Sequence, residues 1–314
     1  MTPGAGAAVM GTGIVSVALS LDGAKAISRI LLAVTGMMWV ALAALAGVRA
    51  MRDRAGFSAD ARTPPALTAV AGTAVLGTGL TAVGWSWAGI ALLVVALAVW
   101  AGLIGPVLAN WTTPTVGASL LLVVATESLA ELAATLAAEE RAYWLLAASL
   151  VPFALGLCFY VFVIARFDVG QLAVGLGDHW ITGGALAIST LAAGRIVGGA
   201  KALSILGDGG GMLKALALGL WIATMLWLPV LLVAELRWPR LRYDLRRWST
   251  VFPVGMYAAC SFVVGTVATI SAATSFARVW VWIAVAVWAV VFAATVLRRL
   301  RPATGARASR MRRG

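Results

Sequence analysis

"PALTAVAGTAVLGTGLTAVGWSWAGIALLVVALAVWAGLIGPVLA", residues 65–109, holds two apolar runs separated by a short break, "GWSW" at 84–87. Each run has close to the ~20 residues that carry a helix across a bilayer core. The two runs differ in kind. The first carries Thr68, Gly72, Thr73, Gly77, Thr78, Gly79 and Thr81. The second is bulky and apolar on every side, as a helix set among lipid should be. Polar groups are costly in lipid and turn toward protein or water. The pair reads as a tight membrane hairpin with an inner and an outer member.

The pattern repeats along the chain. Apolar runs place ten spans at about 5–21, 28–48, 65–84, 87–109, 115–137, 142–165, 180–199, 212–234, 249–271 and 276–297. The odd spans hold most of the Thr, Ser and Gly residues, whereas the fourth and tenth are nearly all bulky and apolar. Small residues also permit close helix packing, but a shared polar interior accounts better for alternation through five pairs. The expected fold is an all-α integral membrane protein. Ten transmembrane helices form five helical hairpins around a central pore, odd helices inside and even helices outside. Residues 1–297 make a single transmembrane domain, and 298–314 a basic cytoplasmic tail.

Composition points the same way. The 314 residues are 62% hydrophobic and 11% charged, far below the roughly 25% charge of soluble domains. Trp85, Trp87, Trp111, Trp144, Trp180, Trp238 and Trp248 stand near expected span ends, where the bilayer interface favours tryptophan. The net charge of +12 comes from short loops and the tail. That is orientation charge rather than a nucleic-acid footprint, and the tail reads as a stop-transfer end facing anionic lipid. With ten spans, 17 Lys and Arg fall on the side of the termini and 7 on the other. The positive-inside rule puts both termini in the cytoplasm of a plasma-membrane protein. The run Met1–Ser20 has no basic residue ahead of it and reads as a mature first span.

Cys158 and Cys260 lie inside apolar runs and read as buried small hydrophobes. No metal-ligand spacing, nucleophile motif or phosphate loop is present, so the sequence gives no basis for an enzyme, a metal or a cofactor. His179 reads as structural, and Asp178 as the cap of span seven. Glu127 and Glu131 share one face of span five at i, i+4. An intramembrane carboxylate is a candidate for proton coupling. The plainer alternatives are a neutral hydrogen-bonded pair, or a partner for Arg195 or Lys201.

Three motifs carry a resemblance: "VMGTGIVSVAL" (9–19), "GDHWITGGALAIS" (177–189) and "WSTVFPVGMYA" (248–258). Together they resemble the tellurite-resistance/dicarboxylate transporter family. That family includes bacterial tellurite-resistance proteins, yeast malate and sulfite transporters, and plant guard-cell slow anion channels. The resemblance implies a homotrimer with one pore per subunit, lined by the odd helices. The expected lining is Thr12, Gly13, Thr73, Gly77, Thr126, Glu127, Glu131, Gly183, Gly184 and Gly255. It also implies that a phenylalanine of span nine blocks the pore; the Trp-x-x-x-Phe spacing carries that role to Phe252, beside Pro253, and not to Phe262. Arg242, Arg246 and Arg247 are expected at the cytoplasmic mouth, where they enrich anions. A lining without Arg or Lys would select anions only weakly.

Pro253 is a tolerated first-turn proline if span nine begins at Ser249, and a kink if it begins near Leu241. The glutamate pair lies outside the three motifs. Three functions stay open: an anion pathway gated at Phe252, a proton-coupled carrier of dicarboxylates or oxyanions using Glu127 and Glu131, and a non-transporting scaffold or enzyme.

Overall fold

The computed structural model describes residues 5–173, 177–205, 211–239 and 244–300. The hairpins are α1 (Gly6–Asp22) with α2 (Lys25–Arg52), α4 (Thr68–Ala82) with α5 (Ser86–Ala109), and α6 (Leu121–Glu139) with α7 (Tyr143–Ile164). α8 (Trp180–Ala202) pairs with α9 (Gly211–Arg237), and α10 (Trp248–Val267) with α11 (Ser271–Leu300). These match the ten expected spans. Among the described residues nine helical segments are long and apolar enough to cross a membrane, and α1, with 17 residues, is a shorter apolar helix.

Burial separates inner from outer members. Of the apolar windows holding α4, α6, α8 and α10, 72–100% is buried, against 11–22% for α2, α5, α7, α9 and α11. α1 is buried along most of its length. The inner helices pack in a closed circuit: α1 on α4, α4 on α6, α6 on α8, α8 on α10, and α10 on α1. Each outer helix packs on its own inner partner and also on the inner helix of the next hairpin. Thus α2 reaches α4, α5 reaches α6, α7 reaches α8, α9 reaches α10, and α11 returns to α1.

Tryptophans stitch the two rings together. Trp39 of α2 donates its indole N–H to Thr73 of α4 at 2.8 Å, and Trp100 of α5 donates to Thr126 of α6 at 3.0 Å. Trp221 of α9 donates to Ser261 of α10 at 2.9 Å, and Trp288 of α11 to Thr12 of α1 at 3.0 Å. Each bond joins an outer helix to the following inner one. An indole buried in an apolar setting needs such an acceptor, and threonine supplies it while its hydroxyl bonds back to its own helix. Trp180 and Trp248, expected at the interface, are instead buried, with bonds to Glu235 and Thr295. Trp85, Trp87, Trp144 and Trp238 are exposed at helix ends.

Three details bear on the expected boundaries. The loop at 49–64 contains a helix, α3 (Arg54–Ala61), started by Asp53 accepting from the Gly56 N–H and tied down by Arg49 to Asp60 at 2.8 Å. Asp178 is not at the cap position of α8: His179 is, without a side-chain cap bond, and the carbonyls of residues 177–179 take the first N–H groups. The "GWSW" break turns as expected, with Gly84 at φ +89° and Trp85 bonding back to Leu80. That left-handed geometry suits glycine.

Candidate functional site

α10 runs between α1 and α8, so its contacts fix which arc of the helix faces where. A methyl group on Gly255 would stand 2.7 Å from Ile14, and one on Gly11 would stand 3.1 Å from Val251, so residues 251 and 255 face α1. A methyl on Gly184 would stand 2.8 Å from Pro253, so residue 253 faces α8. The Val254 carbonyl accepts from Trp280 of α11, and Ser261 from Trp221 of α9, so that side faces the outer ring. At about 100° per residue, Phe252 falls on the remaining arc, toward the interior of the inner ring. It is 2% exposed.

Phe252 is the fifth residue of α10 and Pro253 the sixth. The helix starts at Trp248, after a 3₁₀ turn at Leu245–Arg247. Pro253 therefore lies in the second turn, between the two expected alternatives, where it removes the bond that would reach the Ser249 carbonyl. Phe252 lies about 6 Å of helix rise past Trp248, near the face on which the odd helices begin. We call this the near face and the opposite one the far face.

The interior changes character toward the far face. Glu127 Oε1 accepts from Ser189 of α8 at 3.0 Å, while its Oε2 is buried without a hydrogen-bond partner. Gly156 of α7 makes room for this carboxylate: a methyl there would stand 2.6 Å from its Cδ. One turn further, Glu131 Oε2 accepts from Thr78 of α4 at 2.6 Å. Its Oε1 lies 3.3 Å from the Thr135 hydroxyl and 3.4 Å from Nε of Arg195. The i, i+4 pair thus meets two environments, and Glu131 takes the Arg195 partnership.

The partnership of Arg195 with the glutamate pair was among the sequence expectations; what the sequence did not show is that Arg195 faces the interior. It counted as orientation charge, although it lies within the limits 180–199 read from hydropathy. On α8, Gly184 and Gly194 meet α10, while Ser189 meets α6 and Gly199 meets Leu146 of α7 and the Ala134 carbonyl of α6. Arg195 falls on the arc between, facing the interior. Among the described residues, Arg195 and Lys201 are the basic residues of the five inner helices, and Lys201 sits in the last turn of α8, donating to the Val267 carbonyl. The expectation of an interior without Arg or Lys is therefore corrected.

The remaining expected residues are distributed as follows. Thr12, Thr73 and Thr126 have their hydroxyls engaged by tryptophans of the outer ring. Gly13 packs on Val75, Gly77 on Leu132, and Gly183 on Tyr257 and Leu231, each where a methyl would be crowded. Arg247 pairs with Glu235 at 3.2 Å, which ties the end of α9 to the start of α10. Arg246 is exposed. Arg242 and the tail beyond residue 300 lie outside the described residues.

A family model described as SLAC1, voltage-dependent anion channel, matches residues 1–296. The chain belongs to this family. Two relatives from Mycobacterium tuberculosis are similar to it, the uncharacterized membrane proteins MT1776 (strain CDC 1551 / Oshkosh) and Rv1735c (strain ATCC 25618 / H37Rv). Each is 33% identical over 126 residues, covering 37% of this chain and 61% of the relative. The chain thus spans 61% of the length of these curated relatives. Among the described residues of this family member, the interior presents the Phe252 ring at the near end and the Arg195 guanidinium deeper in.

Proposed function

We propose that this chain is a multi-pass plasma-membrane transport protein, not an enzyme, that passes small anions through the interior of its inner ring. Phe252 closes the path near the cytoplasmic end, with Pro253 setting the ring's direction. Both termini are cytoplasmic, and the near face is the cytoplasmic face. The permeant class is small inorganic anions, C4-dicarboxylates and oxyanions of the sulfite or tellurite type, and the working assembly is a homotrimer with one path per subunit. The observation that carries this reading is the direction of Phe252: a bulky uncharged ring on the interior arc, one turn inside the near face. An apolar constriction stops ions by excluding water. Phe252→Ala in planar bilayers should raise anion conductance by about tenfold, a barrier change of roughly 1.4 kcal/mol. A variant that conducts no better than wild type removes Phe252 from the gate.

A second reading, a proton-coupled carrier, draws on Glu127. A buried carboxylate oxygen without a hydrogen-bond partner is an unusual feature to keep inside a membrane helix unless a proton visits it. This reading expects anion accumulation in proteoliposomes that collapses with an uncoupler and is lost in Glu127→Gln. Passive flux that is indifferent to the uncoupler leaves the gated pathway standing alone.

A further inference from the structure

We propose that Arg195 is an anion-binding residue in the far half of the path, and that Glu131 is its built-in competitor. An anion binds by taking the place of the carboxylate on the guanidinium. This deepens the transport reading above and rests on it for its physiological meaning, though the site itself is tested separately.

Three observations carry it. The first is unused donor capacity. A guanidinium presents five N–H donors, yet Glu131, 3.4 Å from Nε, is the ion-pair partner of Arg195 among the described residues. A close Arg–carboxylate pair is usually a two-pronged fork, and here contact is made at one side nitrogen. The second is access. The Arg195 side chain is 22% exposed although it sits on an inner helix. One turn toward the far face, a methyl on Gly198 would meet Val267 alone among the described residues, at an uncrowded 3.8 Å, and beyond it Lys201 is exposed. Positions 195, 198 and 201 form a stripe on α8 that leads out to the far face. The third is the fate of Glu131. Thr78 at 2.6 Å and Thr135 at 3.3 Å hold the carboxylate independently of Arg195. It can give up the guanidinium without losing every partner.

The geometry also sets the ligand class. A planar fork suits planar anions with two oxygens, such as nitrate or a carboxylate, better than a spherical halide. A proton taken by Glu131 from the far-side water cancels the competing charge and leaves Arg195 free, so acid should strengthen anion binding. Among the described residues no other acid competes as directly. Among the helices packed against α6, α4 and α5 carry no ionisable side chain, α7 carries Tyr143, Tyr160 and Cys158, and α8 carries Arg195 and Lys201. On α6 itself stand Glu127, held by Ser189, and Glu139 at its far end.

The test is nitrate binding to the purified full chain in detergent, read as the rise in thermal unfolding midpoint, at neutral and acidic pH. Glu131→Gln should lower the half-saturating nitrate concentration by about tenfold at neutral pH. Acid should do the same for wild type and nothing further for Glu131→Gln. Arg195→Gln should abolish the nitrate response, and Arg195→Lys should keep a weaker one without preference for nitrate over chloride. Should Arg195→Gln not fold, the double variant Glu131→Gln/Arg195→Gln removes both charges together and should show no response. The proposal is overturned if wild type shows no nitrate response at either pH, or if any folded variant without Arg195 responds like wild type. It is equally overturned if Glu131→Gln binds nitrate more weakly. Nitrate flux into proteoliposomes separates the two readings. Binding that follows Arg195 without any flux keeps this site and sinks the transport reading; flux with binding indifferent to Arg195 does the reverse.

Discussion

The two ends of the ring interior are built from different materials. At the near end Phe252 stands among apolar neighbours, with Pro253 set against Gly184 and Gly255 against Ile14. At the far end Glu131, Thr78, Thr135 and Arg195 form a charged cluster near Gly198, where a methyl group would make ordinary contact with Val267. Gly184 and Arg195 are eleven residues apart on α8, about 16 Å of helix rise. In the proposed reading, the packed apolar ring decides whether water and ions pass at all, and the guanidinium decides which ions collect. The same helix supplies the floor of one and the key residue of the other.

Gly184→Ala should have the largest effect, because the new methyl falls 2.8 Å from Pro253 and overpacking of this kind costs about 1–3 kcal/mol. It should show as a lowered thermal inactivation midpoint in detergent. Phe252→Ala comes next. If the two ends act separately, its conductance gain of about tenfold should multiply with the effect of Arg195→Gln, since sites this far apart usually contribute independently. A double variant that departs from the product by more than a few-fold would break the comparison and join the two ends into one device. Trp288→Phe, which removes the stitch to Thr12, should cost about 1 kcal/mol of stability with the conductance ratio between anions unchanged. Gly198→Ala should be the mildest: the far end has room for the methyl, and helix propensity even gains up to about 1 kcal/mol. A large loss there, in stability or flux, would mean that the far end is as tightly packed as the near end.

Much of the fold was legible because lipid sorts residues by polarity. The contrast between "TAVAGTAVLGTGLTA" and "AGIALLVVALAVWAGLIG" separates inner from outer helix without knowledge of any contact. The interior itself was harder to read. Thr12, Thr73 and Thr126 look like pore hydroxyls, yet each has a tryptophan partner that sequence spacing does not reveal, Trp288 being 276 residues from Thr12. A hydroxyl that must avoid lipid can turn to an axis or to a neighbouring indole, and polarity does not distinguish the two. The direction of Arg195 was hidden for a related reason: a basic residue near a span end has the same signature whether it marks orientation or faces the interior. Only its placement between the arcs that meet α6 and α10 distinguishes these roles. The depth of Phe252 was open by about two turns, because the start of α10 depends on the 3₁₀ segment before it and helix ends fray by a residue or two.

The return of α11 to α1 gives the molecule the mechanics of a hoop. A bundle with a free edge can swing one helix outward; a hoop cannot widen at one joint without loading the other four. Here the joints are close-fitting, with Gly13, Gly77, Gly184 and Gly255 each leaving less room than a methyl group needs. Packed joints of that kind give way in discrete steps rather than by stretching. Rotation of a single aromatic side chain inside the hoop asks for far less rearrangement than prising the hoop apart. For the gate proposed at Phe252, the stiffness of the frame thus favours a turning side chain over a moving helix.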